Sequence, residues 1–164
     1  MNPPVIAIDP GPTESALVMW NGSTINLLRY ARNDEIRKLL GTWSPTESPC
    51  VIEQIASYGM AVGAEVFETC VWTGRFMEAY GADRVHRIPR LAVKQHLCHD
   101  SRAKDTNIRQ ALIDRFGEPG RKKAPGALFG VSGELWAALA VAVTWWDTAR
   151  KVPKRHAAAG DSKA

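Results

Sequence analysis

Val5-Ile6-Ala7-Ile8-Asp9-Pro10-Gly11 is the stretch that decides how this chain is read. Its short apolar run, rich in Val and Ile, has the length and composition of a buried strand. The run ends in a carboxylate, and a Pro-Gly turn follows at once. Burying an ionised acid there is costly unless a cation or hydrogen bonds hold it. Cys50-Val51-Ile52-Glu53-Gln54 repeats the pattern, apolar and then acidic. If the two strands lie side by side, Asp9 and Glu53 share one site. Like charges so close call for a cation, and Mg²⁺ or Mn²⁺ suits oxygen ligands.

Around these two strands the first third of the chain reads as a β-meander. Residues 5–9 and 15–20 make two strands joined by a turn at 10–13. Asn21-Gly22 signals a hairpin into a third strand over 25–30. Residues 33–40 have the pattern of a short helix, capped by Asn33 and stopped by Gly41. A loop leads to the fourth strand and Glu53. The spacing then predicts a long helix over 61–80 with Gly81 as its stop. Gly63, Phe67, Cys70, Val71 and Gly74 form one packing stripe along it. A fifth strand follows over 84–88, then helices over 91–97 and 105–116. Residues 117–130, rich in Gly, Pro and Lys, read as a mobile loop. The final helix covers 133–150, apolar on every side from Leu135 to Val143, which requires protein around it. Hairpin strands followed by strands alternating with helices indicate an α/β sandwich on a mixed five-stranded sheet.

The length of 164 residues suits one domain over 1–150, followed by a polar, basic tail over 151–164 expected to be disordered. No apolar run approaches the roughly 18 residues that span a membrane, and Met1-Asn2-Pro3-Pro4 lacks a charged leader. A cytoplasmic location is expected. The three cysteines show no paired spacing, in keeping with reduced thiols. His96, Cys98, His99 and Asp100 match no standard zinc pattern. The net charge of +4 is unevenly spread: residues 84–123 hold eleven Lys or Arg and four acids. That region suits a polyanion or is a solvated basic face.

Glu134 opens the last helix. Taken alone, it is an acid favoured by the helix dipole. If this helix end meets the ends of the first and fourth strands, Asp9, Glu53 and Glu134 form a three-carboxylate cluster that divalent cations stabilise.

Four segments together resemble RuvC-type Holliday junction resolvases of the RNase H-like superfamily, particularly the small versions carried by bacteriophages. They are Ile6-Ala7-Ile8-Asp9-Pro10-Gly11, Val51-Ile52-Glu53-Gln54, Lys104 with the helix over 105–116, and the run from Glu134 to Ala142. The resemblance spans about residues 5–146, nearly the whole folded part. Two positions depart from the family pattern: Glu134 stands where an Asp is usual, and Ala137 where a paired acid follows one turn later. The resemblance implies an RNase H-like fold and metal-dependent hydrolysis of branched DNA. Two Mg²⁺ or Mn²⁺ ions roughly 3.5–4 Å apart would clamp the phosphate, with Asp9 bridging them and Glu53 and Glu134 each completing one side. Asp105, beside Lys104, reads rather as a cap or salt-bridge partner.

Lys94, Arg102, Lys104, Arg109, Arg121, Lys122 and Lys123 are the candidate phosphate contacts, and Tyr58 a candidate for stacking on a base at the crossover. A homodimer is implied, because two opposed strands of a junction must be cut symmetrically. The helix over 61–80 is its natural interface, with Phe67 and Trp72 as possible anchors, although intradomain core is the simpler reading for Phe67. No small-molecule cofactor or membrane partner is expected. Three alternatives stay open: a nuclease acting on RNA or RNA–DNA hybrid, a catalytically weak junction-binding protein suggested by Ala137, and half of a sugar-kinase or actin-like ATPase. The short chain argues against the last.

Overall fold

The computed structural model describes residues 3–44 and 47–149. Five strands form one mixed sheet: β1 (Val5–Asp9), β2 (Glu14–Trp20), β3 (Ile25–Arg32), β4 (Cys50–Gln54) and β5 (Val85–Pro89), in spatial order β3-β2-β1-β4-β5. The first three strands pair antiparallel, and β1–β4 and β4–β5 pair parallel. Among the described residues five α-helices accompany them: α1 (Asn33–Trp43), α2 (Ala64–Tyr80), α3 (Arg90–Cys98), α4 (Asp105–Phe116) and α5 (Leu135–Ala149).

Strand alternation sorts the core into two layers. Val5, Ala7, Ala16, Val18, Trp20 and Val51 face α5, with α3 and α4 behind it. Ile6, Ile8, Leu17, Cys50 and Ile52 face the opposite layer, where α1 and α2 contribute Ile36, Leu40, Phe76 and Tyr80. With both faces covered, β1 and β4 must be apolar at every position until the sheet ends. The all-round apolar α5 is buried from Leu135 to Thr144, apart from half-buried Ala137, as its sequence requires.

Several elements differ from their sequence expectation. α1 runs through Gly41 to Trp43, because tertiary packing of Ile36 and Leu40 outweighs the intrinsic cost of a helical glycine. Asn33 is not its cap. It is buried inside the first turn, accepting a hydrogen bond from Ser15 Oγ at 2.6 Å and donating one from Nδ2 to the Gly11 carbonyl at 2.9 Å. That pair of bonds ties α1 to the turn after Asp9. α2 starts at Ala64, and its Gly63–Phe67–Val71–Gly74 stripe faces outward rather than into the domain: Phe67 is 63% and Val71 52% exposed. The core reading of Phe67 is therefore wrong. Trp72 instead packs within the domain, 5.9 Å from Phe76 between ring centroids. The segment read as a mobile loop contains a hairpin, β6 (Gly120–Arg121) paired with β7 (Ala124–Pro125), anchored by buried Leu128. α5 begins at Leu135, and Arg150 with the expected tail lies outside the described residues.

Candidate active site

The register Ala7↔Val51, Ile8↔Ile52 carries β1 and β4 to the same edge of the sheet. Asp9 shares the parity of Val5 and Ala7, and Glu53 that of Val51, so both project toward the α5 layer. The Pro10–Gly11 turn sharpens the edge. A Cβ on Gly11 would come within 2.3 Å of the Glu14 carbonyl, so only glycine permits this turn. Glu134 immediately precedes α5, its carbonyl accepting from the Ala137 amide at 3.1 Å, and its side chain lies exposed at the same edge.

Two adjoining openings join these groups. One, of about 400 Å³, is lined by Asp9, Glu134, Arg90, Glu14 and Tyr30 among others. The other, of about 270 Å³, is lined by Glu53, Arg90, Asp105, Glu134, Trp136 and Ala137 among others. The three sequence-predicted acids thus border one composite cleft. Ala137 leaves its wall without a further carboxylate.

Electrostatics follow from this gathering. Burial, then the Glu53 charge, push the Asp9 carboxyl up from 3.8 to about 7; Glu134 and Asp105 add to the rise, while Arg90 opposes it. Burial also raises Glu53 above its ordinary range, against the pull of Arg90. Arg90 is the one central residue that reading the sequence missed. Its Nη1 donates to Glu53 Oε1 at 2.9 Å, and its Nη2 donates to Asp105 Oδ1. Burial works against its charge, yet Glu53 and Asp105 hold its pKa above the ordinary guanidinium value. Its position right after β5, which pairs with β4, was the available signal. Asp105 is a salt-bridge partner, as expected, though of Arg90.

Among the described residues no three acidic, histidine or cysteine side chains stand as a ready-made metal cluster. The expected trio is gathered but not closed, and the cation in contact with Glu53 is a guanidinium. The donor set nevertheless fits a hard divalent ion. It is all carboxylate oxygen: Asp9, Glu53, Asp105 and Glu134 border the two openings, and Arg90 is the basic side chain that lines both.

The basic candidates lie on several elements. Lys94, on α3, acts electrostatically on Glu53. Arg102 and Lys104 occupy the α3–α4 connection, with the Lys104 amide held by Asn107 Oδ1 at 2.9 Å. Arg109 on α4 places its guanidinium 5.0 Å from the Trp136 ring centroid, next to the second opening. Arg121, Lys122 and Lys123 are exposed on the β6–β7 hairpin. Tyr58 is 56% exposed in the turn after β4, at φ 49°. Nearer the acids, Tyr30 on β3 lines the first opening beside Glu14, a residue the sequence did not single out.

No family model matches this chain, and no curated protein matches it in sequence. Solved structures do resemble it. One is described as a Thermus thermophilus RuvC structure, 20% identical, with a TM-score of 0.63 over 90% of this chain and 95% of that one. Another, T. thermophilus RuvC in complex with Holliday junction substrate, is 20% identical, with a TM-score of 0.64 over 90% of this chain and 94% of the other. The mixed five-stranded sheet with Asp9 and Glu53 at one edge and α5 packed across it is the RNase H-like α/β fold, and the chain shares that fold with RuvC.

Proposed function

We infer that this protein is an endonuclease that hydrolyses phosphodiesters in branched DNA, with the four-way junction as its principal substrate. The observation that carries the reading is the convergence of Asp9 and Glu53, from adjacent parallel strands, with Glu134 ahead of α5. The likeness to RuvC, including RuvC bound to a Holliday junction, supports the substrate class.

Asp9, Glu53 and Glu134 would hold Mg²⁺ or Mn²⁺, two ions per site. Such ions, when bound, supply a Lewis acid for the phosphate and lower the pKa of water. The chain's own residues do the rest. Asp9 and Glu53 stand on adjacent parallel strands, so the sheet fixes the backbone positions from which their carboxylates reach the cleft. The Ser15–Asn33–Gly11 hydrogen bonds hold the turn that borders the cleft. Lys94, Arg102, Lys104, Arg109 and the hairpin residues Arg121, Lys122 and Lys123 bind the DNA backbone, which orients the scissile phosphate without reading sequence. Tyr58 stacks on an unpaired base at the crossover. The outward stripe of α2 serves as the homodimer interface. Phe67 and Val71 are exposed there, and Gly63 and Gly74 have no neighbour within 4 Å of a Cβ position, which lets a second backbone approach closely.

A second reading, a junction-binding protein that cuts poorly, is favoured by Ala137 and by the incomplete acid cluster. One experiment separates the possibilities. Purified protein is incubated with a labelled four-way junction, linear duplex and RNA–DNA hybrid, each with Mg²⁺, Mn²⁺ or EDTA. The proposal expects symmetric nicks in the junction alone, lost in EDTA. Tight binding without nicks selects the second reading, and hybrid cleavage redirects the enzyme to RNA.

A further inference from the structure

The cleft carries its own cation. Arg90 is the first residue of α3 and directly follows β5, whose Pro89 pairs with Gln54 of β4. That register sets its side chain beside Glu53. One arm of the guanidinium meets Glu53 at 2.9 Å, and the other meets Asp105 at the start of α4. A planar fork spanning two carboxylates is a task for arginine, which a lysine point charge performs poorly. Arg90 also lines both openings, so it lies between Glu53 and the space in front of Asp9 and Glu134. Its two anchors are unequal. Glu53 is 7% exposed, whereas Asp105 is 77% exposed and Arg90 itself one-third exposed. An exposed partner holds a charge weakly. Arg90 is thus anchored firmly only through Glu53, and water has access to it.

We propose that Arg90 is a resident counter-cation of the DNA-free protein, a positioning residue that competes with the divalent ion for Glu53. This rests on the metal-dependent reading of the site given above. In the resting protein the guanidinium neutralises part of the buried negative charge and keeps the acids from closing on an ion. Binding the ion requires Glu53 to exchange Arg90 for the metal. Arg90 then turns to the adjacent opening, where the incoming phosphate supplies a replacement anion. Ion and DNA each displace what the other needs displaced, so they bind cooperatively, and the free protein has a weak hold on divalent cations.

The test is Mn²⁺ binding to DNA-free protein, followed by titration calorimetry and by the electron paramagnetic resonance signal of free Mn²⁺. Wild type, Arg90→Met, Arg90→Lys and Asp9→Asn are compared, with folding checked by circular dichroism. Releasing Glu53 in Arg90→Met is expected to tighten Mn²⁺ binding about tenfold. Arg90→Lys, which keeps the charge but loses the fork, is expected to fall between wild type and Arg90→Met, and it serves alone if the Met variant does not fold. Asp9→Asn is expected to bind least. Equal or weaker Mn²⁺ binding by both folded Arg90 variants, with loss in Asp9→Asn, overturns the role of Arg90 and leaves the metal site standing. Absence of Mn²⁺ binding in every protein, the Arg90 variants included, overturns both.

Discussion

Asp9→Asn should stabilise the metal-free protein at alkaline pH. In the folded protein the Asp9 carboxyl has a pKa of about 7 against an ordinary 3.8, because burial and the Glu53 charge disfavour its ionised form. Between those two values the folded state keeps a proton that the unfolded chain has released. The native state therefore binds more protons, and stability falls as pH rises through this window. Below the lower value the penalty is absent; above the upper one it is complete. The interval multiplied by about 1.4 kcal/mol per pH unit gives a ceiling of about 4 kcal/mol. Water entering the open cleft reduces the penalty, so about 2–4 kcal/mol is expected near pH 8. Urea unfolding in EDTA, followed by tryptophan fluorescence from about pH 4 to about pH 8, measures it. The variant should match wild type at the acidic end and exceed it at the alkaline end. Parallel curves across the range, or a less stable variant near pH 8, would refute the claim that burial and the Glu53 charge raise the Asp9 carboxyl.

Replacing Arg121, Lys122 and Lys123 with Ala should weaken junction binding and reduce the slope of log K against log salt by roughly 2–3; an unchanged slope removes the hairpin from the DNA interface. Asp147 accepts from Arg115 at 2.5 and 2.8 Å and pairs with His96 at 2.7 Å, tying α3 and α4 to α5. The hydrogen bond from Arg115 leads the effects that hold its carboxyl below the usual range. Its stabilisation is thus present above the unfolded carboxylate value and disappears as pH falls through the lower folded value. Asp147→Asn should cost about 1–2 kcal/mol near neutrality and nothing in strong acid, which chemical denaturation at the two pH values will check. Gly22→Ala should cost at least about 2 kcal/mol: Gly22 has φ +101°, and a Cβ there would approach the Trp146 ring within 2.4 Å. A midpoint unchanged from wild type would contradict that packing. Phe67→Glu with Val71→Glu should leave a folded monomer in sedimentation if α2 forms the dimer interface; a persistent dimer places the interface elsewhere.

The sheet and both of its acids were legible because a short Val/Ile-rich apolar run that ends in an acid is a strong local signal of a buried strand. Once β1 and β4 are paired in parallel, the parity of Val5, Ala7 and Asp9, matched by Val51 and Glu53, carries both carboxylates to one face. Glu134 was legible only on the condition that its helix end meets the ends of β1 and β4, since an acid at a helix start has a sufficient local explanation in the helix dipole. Helix α1 overran Gly41 because burial of Ile36 and Leu40 is a tertiary effect that no local propensity records. The direction of the α2 stripe was hidden for the opposite reason: an apolar stripe left on the surface has the same periodicity as one buried in the core. Arg90 escaped notice because its role depends on two partners, Glu53 and Asp105, that only the fold brings within reach.

The claim on which the account rests is that Asp9, Glu53 and Glu134 bind divalent metal as one centre. Anomalous diffraction from crystals of the protein grown with a four-way junction and Mn²⁺ addresses it directly. The account predicts Mn²⁺ peaks at the shared edge of β1 and β4, with Asp9 coordinated and Arg90 withdrawn from Glu53. Saturating Mn²⁺ with no peak beside Asp9, or peaks confined to other acids, would contradict it.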